Sequence, residues 1–131
     1  MNPVVHFEMP YEDRDRATDF YAKVFGWGIQ KLGPEMGNYV TVMTTETGED
    51  NRPKHPGAIN GGLYQKSPDK GAVHPSVVIA VHDIEKAVAD IVAAGGTIVA
   101  EPVEIPGVGT YAGFKDTEGN VVSILKPSGT M

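Results

Sequence analysis

The sequence predicts an α+β domain made of two βαβββ modules whose sheets enclose a pocket. The first observation is an internal repeat. A strand-like segment followed by a helix-like segment occurs twice, and a shift of 70 residues places His6 on Ser76 and Gly26 on Gly96. The second observation is that three further strand candidates, separated by glycine and proline, follow each helix. The length of 131 residues suits one such domain.

Each helix is predicted from apolar residues at spacings of three and one, which place them on one helical face. Asp83 can accept hydrogen bonds from the exposed amides that open the second helix, and Gly95 or Gly96 can take the left-handed conformation that closes it. The apolar stripes are Ala17, Phe20, Tyr21, Val24 and Phe25 in the first helix, and Ile84, Ala87, Val88, Ile91 and Val92 in the second.

The remaining strands are placed by hydrophobic runs between turn residues. Residues 46–56 have no periodicity and carry several charges, so we expect a mobile loop there. We place module one at about residues 1–66, a linker at about 67–75 and module two at about 76–131. The strand candidates are 28–32, 39–45 and 59–65 in the first module, and 97–101, 110–115 and 121–126 in the second.

Composition excludes several classes of function. The chain has no cysteine, so it has no disulfide, thiolate zinc site or cysteine nucleophile. A net charge of −6 argues against nucleic acid and leaves a neutral, cationic or metal-bridged small ligand open. The longest aliphatic run, 77–81, is far shorter than the ~20 residues that span a bilayer, and no signal-like segment follows Met1. We therefore expect a cytoplasmic protein.

Alternation along the strands assigns side chains to faces. In the first strand the bulky apolar residues Val5, Phe7 and Met9 share one face, which we expect to pack beneath the helix, while His6 and Glu8 share the other. The strand that opens the second half repeats this pattern. Its smaller, more mixed face carries Ser76, and the same logic places Ser123 beside it. These four inward-facing residues, His6, Glu8, Ser76 and Ser123, mark the predicted pocket.

Four motifs in order resemble the vicinal oxygen chelate superfamily, the group of glyoxalase I, bleomycin-resistance proteins and extradiol dioxygenases. They are His-Phe-Glu-Met-Pro at 6–10, the pattern Ala-x-x-Phe-Tyr-x-x-Val-Phe-Gly-Trp at 17–27, Val-His-Asp-Ile at 81–84 with Gly-Gly at 95–96, and Gly-Phe-Lys-Asp-Thr-Glu-Gly-Asn-Val at 113–121. The resemblance covers nearly the whole chain. It implies two βαβββ modules forming an open, U-shaped mixed sheet around a cavity, and often a homodimer.

The resemblance also implies four positions that hold a divalent metal in metal-dependent members. They fall here on His6, about Gly62, Ser76 and Ser123. Only His6 has the expected chemistry, because serines stand where the family typically has histidine and glutamate, and the fourth strand offers no carboxylate. We therefore expect the full metal site to be missing, with His6 as the one ligand that a divalent ion could use.

His6 and Glu8 are the candidate catalytic residues. The His6 imidazole either is a hydrogen-bonded pocket side chain or serves as a general acid and base, a role that suits histidine near neutral pH. Glu8, two residues further on the same face, either orients that imidazole, joins it on a metal, or is a solvated carboxylate at a strand end. The sequence leaves these alternatives open for each residue.

The other candidates line the predicted pocket. Ser76 and Ser123 are interpreted as small pocket residues, because no activating base or nucleophile elbow accompanies them. Tyr39, Tyr64 and Tyr111 can each close a ligand cavity and donate a hydroxyl hydrogen bond, although single aromatics in strands are more often ordinary packing.

Two functions follow from these residues. The first is a metal-independent, small-molecule binding protein of the glyoxalase and bleomycin-resistance type. The second is a metal-dependent lyase, isomerase or dioxygenase of the glyoxalase and dioxygenase type that uses His6 and Glu8. The missing ligands at three of the four family positions favour binding, and whether the protein is an enzyme stays open.

Overall fold

The repeat predicted from the sequence is present as two successive βαβββ units. The structure is a computed structural model that describes residues 1–129, without the side chain of Lys70. The fold class is confirmed: it is α+β, with an open mixed sheet. The elements are β1 (Val4–Tyr11), α1 (Arg14–Phe25), β2 (Gly28–Lys31), β3 (Val40–Met43), β4 (Asn60–Gln65), β5 (Ser76–Ala80), α2 (Ile84–Ala93), β6 (Thr97–Ile105), β7 (Gly109–Lys115) and β8 (Val121–Pro127).

The chain separates into two compact units. Module one is residues 6–75, and module two is residues 76 onward together with residues 1–5. Neither helix among the described residues is long and apolar enough to cross a membrane.

Module one has the strand order β2-β3-β4-β1, in which β1 runs parallel to β4 and the other neighbours are antiparallel. One face of this sheet is apolar and packs against α1. Phe7 and Met9 lie on that face, as alternation along β1 predicted. Its buried core consists of Tyr11, Val40, Val42 and Leu63.

Helix α1 uses less of its apolar stripe than the sequence pattern suggested. Its N-terminus is capped by Asp13, whose carboxylate accepts from the Arg16 amide, and it ends at Gly26 in the left-handed conformation. Ala17 packs on the core, and Thr18 is buried, with its hydroxyl satisfied by a bond back to the Arg14 carbonyl at 3.0 Å. The other stripe residues Phe20, Val24 and Phe25 are 54%, 54% and 59% exposed.

Module two repeats this plan with the order β5-β8-β7-β6, and β5 is parallel to β8. Its core is Val81, Ile84, Ala112 and Ile124, packed with the apolar side of α2. Asp83 caps α2 by accepting from the Lys86 amide, as predicted. Gly95 follows the helix with φ 101°, so the left-handed residue expected there is confirmed.

Two strands differ in length from the sequence prediction by more than one residue. Strand β3 ends at Met43 because the amides of Thr44 and Thr45 turn to the Asn60 side chain, at 2.8 and 3.1 Å. Strand β6 continues to Ile105, through Pro102, because register shifts between Ile98 and Val103 absorb the proline, which cannot donate to a sheet.

Candidate functional site

The face of the module-one sheet opposite α1 is polar and carries the candidate residues of that module. We call it the polar face. Strand pairing places Gln30, Thr41, Gly62 and Glu8 in one row across the four strands. His6 lies two residues from Glu8 on the same face and pairs with Asn60.

His6 is held by a backbone acceptor. Its Nδ1 lies 3.2 Å from the carbonyl oxygen of Asn60, and a carbonyl only accepts, so Nδ1 must carry the proton in this contact. In the neutral imidazole this leaves Nε2 as the lone-pair nitrogen, able to accept a proton or a ligand hydrogen bond. Asn60 was not a candidate from the sequence, yet it supports His6 with its carbonyl and closes the end of β3 with its side chain.

Glu8 and Tyr39 form the central contact of the polar face. Glu8 is only 8% exposed, and the Tyr39 hydroxyl donates to its Oε2 at 2.9 Å. A buried carboxylate needs such donors, because it has lost the hydration of its charge. The two residues are 31 positions apart in sequence, so the contact depends on the tertiary fold.

Gly62 makes the Tyr39 position possible. A Cβ at residue 62 would collide with the hydroxyl end of the Tyr39 ring, so the phenol fills the space into which a side chain of residue 62 would project. The neighbouring Gly61 plays the matching role on the other face, where a Cβ would collide with the backbone oxygen and ring of Phe7. The Gly-Gly pair is therefore a close-packing feature.

Tyr64 lies on the polar face but uses its hydroxyl elsewhere. It donates to the backbone carbonyl of His74 at 3.0 Å. Burial, together with the negative charge of Glu8, raises the pKa of Tyr64 above its ordinary value. The hydroxyl therefore stays protonated at neutral pH and remains a donor.

Module two holds the remaining candidates, Ser76, Tyr111 and Ser123. Ser123 is 4% exposed, and its Oγ lies 2.6 Å from the Tyr111 hydroxyl. Ser76 opens β5, two residues before Val78, which pairs with Ser123. The structure thus groups His6, Glu8, Tyr39 and Tyr64 within module one, and these three residues within module two.

The tyrosines occupy equivalent places in the two repeats. Tyr39 stands two residues before Thr41, the partner of Gly62, and Tyr111 stands two residues before Gly113, the partner of Ser123. In each module a tyrosine in the third strand, or immediately before it, brings its ring or hydroxyl to the fourth-strand position that the family resemblance assigned to a metal ligand. This symmetry could have been found by aligning the repeats through their third strands.

The four implied metal positions do not fit a divalent ion. They supply one imidazole, one glycine and two serines, and the space at Gly62 is filled by the Tyr39 phenol. Within the part of the chain that the structure describes, no three His, Asp or Glu side chains come together to hold a metal.

A separate shallow groove lies between α1 and β2, on the helix side of module one. Its volume is about 340 Å³ and it is open to solvent. Lys31 pairs with Asp15 at its edge, at 2.6 Å. The groove is lined by Thr18, Asp19, Ala22, Ile29 and Lys31, none of which is a candidate from the sequence.

Comparisons with known proteins agree with this fold. The protein named "Putative glyoxylase CFP32" from Mycobacterium bovis is 32% identical over 124 residues, which cover 92% of this chain but only 42% of that protein. A "Probable lactoylglutathione lyase" from Vibrio cholerae is 25% identical over 129 residues, covering 94% of this chain and 89% of that one.

Solved structures give the same fold at lower identity. A variant of Streptomyces coelicolor methylmalonyl-CoA epimerase bound to 2-nitronate-propionyl-CoA matches with a TM-score of 0.67 and 16% identity, covering 96% of this chain and 97% of that one. The family model of the Glyoxalase/Bleomycin resistance protein/Dioxygenase superfamily matches residues 4–124. The resemblance read from the sequence motifs is confirmed, and the chain belongs to this superfamily.

Proposed function

We propose that the protein is a glyoxalase and bleomycin-resistance-like small-molecule binding protein that works without the family's divalent metal. The observation that carries this proposal is the Tyr39 phenol, which lies over Gly62 and donates to the buried carboxylate of Glu8. A metal ligand from the fourth strand would need the space that this ring fills.

The ligand we propose is a neutral or cationic small molecule that contacts Glu8 and His6. Among the strand residues of the polar face, Glu8 supplies the carboxylate and His6 the imidazole. The net charge of −6 favours such ligands over anions.

The alternative function is an enzyme of the glyoxalase or dioxygenase type that uses His6 and Glu8. It is favoured by the hydrogen bond from His6 Nδ1 to the Asn60 carbonyl, because that contact orients the ring and leaves Nε2 for proton transfer. The names of the mycobacterial and Vibrio cholerae relatives point to the same class of reaction.

Metal analysis and a ligand screen test the proposal together. Protein purified without a histidine tag is titrated with Zn²⁺, Ni²⁺, Co²⁺ and Fe²⁺, and we expect no stoichiometric binding. One ion per chain, lost in His6→Ala, would refute metal independence.

A thermal-shift screen of small metabolites should then find a compound that raises the Tm by mass action. This shift should disappear in Glu8→Gln and remain in the control Tyr21→Phe, whose hydroxyl makes only a long contact of 3.8 Å with Met9. A screen without any such compound would contradict the binding function.

We also propose that the chain is a cytoplasmic homodimer. The exposed apolar patch formed by Phe20, Val24 and Phe25 on α1 supports self-association, since contiguous exposed apolar surface often marks an interface. Light scattering of the purified protein should give a mass of two 14.0 kDa chains at micromolar concentration. A monomer mass across the same range would refute the dimer.

A further inference from the structure

The Tyr39 phenol contacts Glu8 on the polar face, whereas the preceding carbonyl, that of Asn38, is contacted from the helix side of the module-one sheet. We infer that Tyr11 and Arg14 are positioning residues, which hold the backbone of Asn38 and so place the Tyr39 phenol over Gly62. We call Tyr11, Arg14 and the Asn38 carbonyl the Asn38 clamp. The inference rests on the proposed function, because it assigns remote residues to the ligand site proposed above.

The clamp consists of two donors on one carbonyl. The Tyr11 hydroxyl donates to the Asn38 oxygen at 2.7 Å, and Arg14 Nη1 donates to the same oxygen at 3.3 Å. Arg14 Nη1 also donates to the Leu32 carbonyl at 2.7 Å, so it ties together both ends of the β2–β3 connection. Tyr11 is 6% exposed within the core, which leaves its hydroxyl little freedom to find another partner.

The backbone of Tyr39 itself is also held. The Tyr39 amide donates to the Met36 carbonyl at 3.3 Å, and the Tyr39 carbonyl accepts from the Leu32 amide at 2.8 Å. Gly37 and Asn38 both have left-handed backbones, with φ of 65° and 56°. For a residue other than glycine, such as Asn38, this conformation persists only when its surroundings fix it.

These constraints determine where the Tyr39 side chain goes. The Asn38 carbonyl points to the donors on the helix side, and the next side chain leaves on the polar face. There the phenol meets Glu8 at 2.9 Å, above a residue with no side chain. A loosened clamp would let the peptide between residues 38 and 39 rotate, and the ring would lose both contacts together.

Fluorine NMR on protein labelled with 3-fluorotyrosine tests the clamp without any ligand. The chain has five tyrosines, so each resonance can be assigned with a single Tyr→Phe variant. We expect Tyr11→Phe to move or broaden the Tyr39 resonance by more than its linewidth. Tyr21→Phe should leave it in place, and so should Asn38→Gly, because glycine keeps both the left-handed backbone and the carbonyl.

Urea unfolding of the double variant gives the second measurement. If the clamp aims Tyr39, then Tyr39→Phe should lower the unfolding midpoint less in the Tyr11→Phe background than in the wild type. Arg14→Gln, at the start of α1, provides the same comparison should Tyr11→Phe fail to fold.

An unchanged Tyr39 resonance together with additive midpoints would overturn the clamp. Both readings need no ligand, so a ligand screen that finds nothing would refute the proposed function and leave the clamp standing.

Discussion

Replacing Gly62 with alanine is expected to lower the free energy of unfolding by about 1–3 kcal/mol, the usual cost of forcing extra volume into a packed site. The new Cβ would collide with the hydroxyl end of the Tyr39 ring. Because the colliding atoms belong to a side chain, Tyr39→Ala should remove the conflict. We therefore expect Gly62→Ala to cost far less in the Tyr39→Ala background, measured by urea unfolding of the four proteins in the cycle.

Two glycines of the same module serve as controls. At Gly61 the collision includes the backbone oxygen of Phe7, so truncating the Phe7 side chain should not rescue Gly61→Ala. At Gly28 a Cβ would make an ordinary contact of 3.4 Å with the Met43 Cβ, so Gly28→Ala should be close to neutral. Equal costs for Gly62→Ala with and without the Tyr39 ring would show that the phenol does not fill this space.

The fold could be predicted because its signals are local. A shift of 70 residues superposes two strand–helix units, and Asp83 and Gly95 bound α2 as the capping rules require. Alternation along β1 separates Phe7 and Met9 from His6 and Glu8 correctly. These features depend on backbone geometry over a few residues, which composition and spacing reveal.

The apolar stripe of α1 shows where periodicity stops being informative. Spacing places Phe20, Tyr21 and Val24 on one side of the helix, but it does not say how much of that side the sheet covers. In the structure Tyr21 stacks on Trp27, with ring centroids 4.7 Å apart, while Phe20 and Val24 are exposed.

The contacts of the candidate site could be predicted only in part. Side-chain alternation along β1 predicted the face of His6 and Glu8. The Tyr39 contact instead depends on the β2–β3 connection, which contains two residues in the left-handed conformation. Gly62 was interpreted as a missing metal ligand, and the structure adds that its absent side chain is room for a phenol. A sequence does not reveal this role of Gly62, because it depends on which side chains pack around the residue in the folded chain.

Removing the Glu8 carboxylate should be costly, because Glu8 is buried and accepts from the part-buried Tyr39 hydroxyl. We expect Glu8→Ala to lower the free energy of unfolding by about 1–3 kcal/mol, the range for removing one member of a hydrogen bond away from water. Glu8→Gln should cost less, since its amide oxygen can still accept from the Tyr39 hydroxyl. Chemical unfolding monitored by the fluorescence of Trp27 measures both variants.

The Tyr39→Phe background separates this cause from simple loss of volume. In that background Glu8→Ala no longer removes an acceptor from the Tyr39 hydroxyl, so it should cost less stability than in the wild type. Glu12→Gln is the matched control, because that carboxylate is exposed and pairs with Lys66 at 2.9 Å at the surface, where such pairs contribute little. If Glu8→Ala cost the same in both backgrounds, the Tyr39–Glu8 hydrogen bond would not be the interaction that holds the polar face together.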